Sequence, residues 1–133
     1  MSNKLIVHGV IRIDGKYLVI KRSEIKRGKA NVYPSYFDIP GGSVEFKETP
    51  RDALIREIKE EVGLNAIVND IIHEDSNFDT EKQTVFTRLI YNCTVSCDCD
   101  IKLDPEEHTE YRLISSLSEL DDELVVPYLK ELL

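Results

Sequence analysis

Residues Gly42 to Leu64, GSVEFKETPRDALIREIKEEVGL, contain one helix together with its start and stop signals. Thr49 suits the N-cap, Pro50 suits the first helical position with its fixed φ and absent donor, and Asp52 falls in the electropositive first turn. Gly63 supplies a left-handed stop. At the helical period, Leu54, Ile58 and Val62 form an apolar arc with Ile55 at its edge. Glu57, Glu60 and Glu61 form an acidic arc beside it, so one side packs and its neighbour carries charge.

Such spacing places like charges one helical turn apart, which costs an isolated helix roughly 0.2–0.5 kcal/mol per contact. A hard divalent cation with oxygen ligands offsets that repulsion directly, and Mg²⁺ is usually held by a few carboxylates together with water and phosphate. Arg56 stands four residues before Glu60 and next to Glu57, so it can orient carboxylates without filling the cation position. Glu48 enters from the preceding loop. The competing reading is a solvated acidic face. Against it stands the context: Asp38-Ile39-Pro40 leads into the Gly41-Gly42 pair, making a strand, loop and helix unit around the acids.

Gly42, Glu48, Arg56-Glu57-Ile58, Glu60-Glu61 and Gly63-Leu64, at these spacings, resemble a complete Nudix box of the MutT-like kind. The resemblance implies an α/β fold, the Nudix-type α/β/α sandwich with a mixed β-sheet. It also implies hydrolysis of a diphosphate bond in a nucleoside diphosphate linked to another group. Mg²⁺ or Mn²⁺ is the implied cofactor. Glu57 and Glu61 become the principal metal ligands, Glu60 a further ligand or the general base, and the carbonyl of Gly41 or Gly42 an additional ligand. Arg56 orients the carboxylates. Glu48 contacts the metal through water or holds Arg56. A base from a later loop is the other option, with Glu106, Glu107 and Glu110 as candidates and Glu107 preferred because it precedes His108-Thr-Glu-Tyr-Arg.

The chain has 133 residues, enough for one domain with a real core and too few for two of ordinary size, so a single domain over 1–133 is expected. Its composition, 41% hydrophobic and 32% charged, is globular rather than disordered. The beginning, MSNKLIVHGVIRI, lacks the apolar stretch and cleavage site of a secretory signal, and no run is long enough to span a membrane; a cytoplasmic location and no membrane partner are expected. With 25 acidic against 17 basic residues, the net charge of −8 argues against long nucleic acid. A small nucleotide or other diphosphate is the expected partner, and a homodimer is compatible with the charge. Cys93, Cys97 and Cys99 have no companion Cys-x-x-Cys or paired histidines, so reduced thiols on or near a strand are expected rather than zinc.

Along the chain, Lys4 to Ile13 and Lys16 to Arg22 read as strands joined by an Asp14-Gly15 hairpin turn. His8 reads as a core or rim histidine. Ser23 to Tyr36 reads as a loop forming a substrate rim: Arg22, Lys26 and Arg27 for phosphates, and Tyr36 for a base. Phe37 to Ile39 should be a short strand delivering the glycine pair. Beyond the helix, strands are expected at Asn65 to Glu74, Gln83 to Val95 and Glu110 to Ile114, with a polar turn at Asp75 to Lys82 and an acidic loop at Ser96 to Glu107. A helical turn follows Ser115 or Ser116, and Pro127 opens a last amphipathic helix.

Substrate identity is not written in the box. The signatures that separate other substrates in the family have no counterpart here, which leaves nucleoside triphosphates, oxidised ones included, in the lead. A non-catalytic nucleotide-binding regulator with the same fold is the alternative, and the intact carboxylates weigh against it.

Overall fold

A computed structural model describes residues 2–26, 28–96 and 100–133; Arg27, Cys97 and Cys99 lie outside the described residues. The strands β1 (Ser2–Ile13) and β2 (Lys16–Arg22) are joined as expected at Asp14-Gly15. Both turn residues have positive φ, 51° and 77°, the geometry that matches the twist of a two-residue hairpin.

β1 organises the sheet. Along one edge it runs parallel to β8 (Thr84–Val95), and along the other it pairs antiparallel with β6 (Gly41–Ser43) and, further on, with β2. β2 in turn pairs antiparallel with β5 (Phe37–Asp38) and β9 (His108–Ile114), while β7 (Ala66–Asp79) pairs antiparallel with β8. The mixed sheet is therefore split around β1, and β6 carries the glycine pair into the split.

Alternation on the strands builds two cores. Val7, Ile11, Leu18, Ile20, Tyr91 and Cys93 face the helix α1 (Pro50–Val62) and bury its Ala53, Leu54, Ile58 and Val62. Val10, Val19 and Ile90 face the other way, where they meet Leu120, Val126, Tyr128 and Leu129 from the last segment. That segment holds a 3₁₀ turn at Leu117–Leu120 and the short helix α2 (Leu129–Leu132). Layers on both faces of a mixed sheet make the α/β/α sandwich.

The helix has the predicted caps. Thr49 accepts from the Asp52 N–H at 3.2 Å, and Gly63 closes the helix at φ 75°. α1 crosses β1 at Gly9, where a Cβ would lie 2.9 Å from Cys93 Sγ and 3.2 Å from Ile58 Cδ1. A Cβ there would press on both side chains, so glycine suits this close approach of helix and sheet. Cys93 is buried there, and that burial pushes its thiol up to about 12.

Several boundaries differ from expectation: β1 begins at Ser2 rather than Lys4, and the last helix covers only Leu129–Leu132, two residues past Pro127. β7 continues through Asp75–Asp79, which the sequence assigns to a turn, because those polar residues face solvent while their backbone still pairs with Thr84–Arg88. Ser23 to Tyr36 contains a small hairpin, β3 (Ile25–Lys26) with β4 (Lys29–Ala30), rather than loop alone. β9 starts at His108, two residues early, because His108 pairs with Arg22 across a register shift. No helix among the described residues is long and apolar enough to cross a membrane.

Candidate active site

Glu57 and Glu61 are one turn apart on α1, and both meet the strand carrying the glycine pair. The Gly41 N–H donates to Glu61 Oε2 at 2.7 Å. A Cβ on Gly42 would lie 2.5 Å from Glu57 Cδ, and one on Gly41 would lie 2.0 Å from the Val7 carbonyl oxygen. The glycine pair is thus a cradle: any side chain would displace a carboxylate or the neighbouring strand.

Burial and the nearby Glu57 charge push the Glu61 carboxyl well above the usual range, against the pull of the Gly41 N–H. Glu61 is only 6% exposed. Burial also raises Glu57, opposed by Arg56. Two carboxylates held close in a partly desolvated place favour either a proton or a cation. The oxygen-only donor set and the glycine cradle fit a hard divalent ion. Among the described residues no three acidic, histidine or cysteine side chains already converge as a ligand set. Their oxygens are instead held by protein donors.

Arg56 is the main holder. It forks onto Glu48 through Nε at 2.7 Å and Nη2 at 3.0 Å, and its Nη1 donates to Glu57 at 2.9 Å and Glu60 at 3.2 Å. Hydrogen bonds from Arg56, then from the Glu45 N–H, bring the Glu48 carboxyl down to about 2. Of the two contacts open to Glu48, the one made here is with Arg56. Glu60 sits at the rim, its side chain 56% exposed.

These acids form one wall of a cavity of about 650 Å³. Lys4, Arg22, Lys26, Lys82 and Arg88 line the same cavity. Acidic and basic side chains around one cavity suit a cation bridged to an anionic ligand. Arg22, expected to meet substrate, lines the cavity with its donors already engaged: Nε to the Val32 carbonyl at 2.6 Å, Nη1 to Asp38 at 3.1 Å and Nη2 to Asn31 at 3.0 Å. It fastens the rim segment. Lys26 and Glu107 both line the cavity and form an ion pair at 2.7 Å. Tyr36 packs against the second core, and Tyr33, with its ring centroid 5.1 Å from that of Tyr36, lines the cavity in its place.

Several cavity residues have no signal in the box. Asp38 is buried and accepts hydrogen bonds from Arg22, the Ile39 N–H and the Tyr128 hydroxyl. Tyr128 therefore accepts from His8 Nε2 at 3.1 Å, leaving His8 Nδ1 a bare acceptor. Burial pushes both His8 and His108 down to about 4, so each ring is neutral near pH 7. His108 Nε2 stands 3.8 Å from Glu61 Oε1. Arg88 stacks over the Tyr128 ring at 4.1 Å. Strand alternation could have grouped Lys4, Ile6 and His8 on one face of β1. Nothing local could have added Tyr128, which lies 120 residues from His8.

Comparison with known proteins agrees with this geometry. The family model described as the NUDIX domain matches residues 4–132. A nucleoside triphosphatase NudI of Escherichia coli is 33% identical over 120 residues, covering 84% of this chain and 81% of that protein. An ADP-ribose pyrophosphatase of Methanocaldococcus jannaschii is 41% identical over 85 residues, 64% of this chain and only 47% of that protein's length. The crystal structure of a MutT protein from Methanosarcina mazei Go1 superposes with a TM-score of 0.78 at 26% identity, covering 98% of this chain and 89% of that one.

Proposed function

The chain belongs to the Nudix hydrolase family, and on that premise we propose that it hydrolyses a diphosphate bond in a nucleoside diphosphate linked to another group, with Mg²⁺ or Mn²⁺ as cofactor. Nucleoside triphosphates, oxidised ones included, lead as substrates. The similarity to a nucleoside triphosphatase over most of both chains supports that order, and the shorter match to an ADP-ribose pyrophosphatase supports ADP-ribose as the second candidate.

One observation carries the reading: the Glu57 and Glu61 carboxylates are packed into the Gly41-Gly42 cradle at the wall of a cavity that basic side chains also line. Glu57, Glu61 and Glu60, with the Gly42 carbonyl, are the groups that would hold the cation, and Glu48 would act through the Arg56 it holds. A bound divalent ion supplies charge neutralisation for the phosphates, polarises a phosphoryl oxygen and lowers the pKa of water.

The chain's own residues do the remaining work. Arg56 keeps Glu57 and Glu60 turned toward the cavity and relieves their mutual repulsion. Lys26 meets phosphate oxygens, and Arg22 fixes the rim on which Tyr33 stands. Water attacks phosphorus, the bond to the bridging oxygen breaks, and Glu60 or Glu107 takes the proton. Burial holds His8 and His108 neutral near pH 7 in the substrate-free protein.

Chromatography of the released monophosphates and pyrophosphate over nucleoside triphosphates, nucleotide sugars, ADP-ribose, dinucleoside polyphosphates and coenzyme A, with and without Mg²⁺, tests the reading. Glu57→Gln and Glu61→Gln should each lower the Mg²⁺-dependent rate by about 10²-fold or more. Full turnover in either variant refutes the metal assignment.

A further inference from the structure

The two walls beside the catalytic acids are buttoned together at one point. Ser23 N–H donates to the Glu107 carbonyl at 2.9 Å, and Ser23 Oγ donates to the Glu106 carbonyl at 2.7 Å. These bonds join the start of the β3–β4 hairpin to the turn before β9. Just inside them Lys26 Nζ meets Glu107 Oε1 at 2.7 Å. The Glu107 side chain is 13% exposed, while that of Lys26 is 39% exposed. Both residues face the cavity that also holds Glu57 and Glu61.

We propose that Lys26 and Glu107 form a displaceable clamp: a substrate phosphate takes the Lys26 ammonium, and the Glu107 carboxylate is thereby released toward the acidic wall. The Ser23 bonds use backbone carbonyls and a hydroxyl, so they hold the two segments in place while the side-chain pair opens. The ammonium keeps an anionic partner throughout, while Glu107 gives up its own and is left free to accept a proton. Lys26 has no second carboxylate within ion-pair distance among the described residues, so its only competitor for phosphate is Glu107. Without substrate, Glu107 is occupied and kept from adding its charge in full to Glu57 and Glu61, which already feel it. Substrate arrival and availability of the carboxylate become one event. Lys26 is thus a positioning residue for Glu107 as well as a phosphate contact.

This inference rests on the proposed diphosphate hydrolysis, yet its central test does not need turnover. Binding of a non-hydrolysable nucleoside triphosphate bearing an imido bridge is measured by calorimetry with Mg²⁺ present, in the full chain and in Lys26→Gln, Glu107→Gln and the double variant. Glu107→Gln removes the competitor, so it should tighten the analogue by about 2- to 5-fold, the worth of a partly exposed ion pair. In the Lys26→Gln background the same change should give little tightening, because there is no ammonium to release. Lys26→Arg should restore the coupling.

Equal tightening in both backgrounds means a general loss of negative charge and overturns the clamp. No tightening in the parent background overturns it as well. Turnover is read separately: a Glu107→Gln protein that hydrolyses substrate at the parent rate rejects Glu107 as the base, while the binding cycle still decides the clamp. Absence of hydrolysis across the whole substrate panel in the parent protein would instead reject the enzymatic reading.

Discussion

His8 shows how a single side chain can be fixed by its surroundings. Its ring is 5% exposed, donates to Tyr128, and is pushed down to about 4 by burial, while Asp38 pulls in the opposite direction. In an unfolded chain the same ring titrates near 6.5. The unfolded state therefore binds the proton first as pH falls. His8 contributes stability that is present above about pH 6.5 and is lost toward pH 4. Glu61 acts with the opposite sign, since a raised carboxyl contributes stability that is lost as pH rises through its folded value. Comparing the parent with His8→Gln isolates the histidine. The difference in unfolding free energy should be largest near pH 7 and narrow by up to about 3 kcal/mol toward pH 4, as read from urea titrations. A difference independent of pH would show that the ring is not held neutral by the fold.

At the level of elements, α1 must lie close to β1 for its acids to reach the glycine pair. Gly9 sets that distance, because Cys93 Sγ and Ile58 Cδ1 already occupy the space of a Cβ. Gly9→Ala should lift the helix and cost about 1–3 kcal/mol, the usual range for overpacking a core. Chemical denaturation should show a lower midpoint with an unchanged slope. An unshifted midpoint would mean that the helix has slack against the sheet. The same contact explains why Glu61, on the packed side of α1, is buried while Glu60, one residue earlier, stands at the rim. One helical step separates a buried carboxylate from an exposed one.

The whole molecule gathers acidic and basic side chains around one cavity although its net charge is −8. Cation binding to the folded state alone should therefore stabilise it, by about 2.7 kcal/mol at a hundredfold excess over Kd. Mg²⁺ should raise Tm by several degrees, and chelation should reverse the gain. The gain should be larger at pH 8 than at pH 5, because burial raises the Glu57 and Glu61 carboxyls and the ion must take them deprotonated. Differential scanning fluorimetry provides the check, and an equal gain in Glu61→Gln would place the ion elsewhere.

What the sequence determined by itself is local. The caps of α1, its apolar and acidic arcs, the Asp14-Gly15 turn and the glycine pair all follow from residue type at fixed spacing, since helix period, turn geometry and close backbone approach act over a few residues. The same local logic misread Asp75–Asp79, whose polar side chains look like a turn although their backbone pairs with β8. Only the tertiary structure decided that Tyr128 and Asp38 would lock His8, that Arg22 would spend its donors on the rim, and that Lys26 would meet Glu107 beside His108 and Glu61. Those encounters depend on the parallel register of β1 with β8 and on β9 joining β2. Pairing between strands far apart in the chain is set by two cores closing at once, which no window of sequence contains.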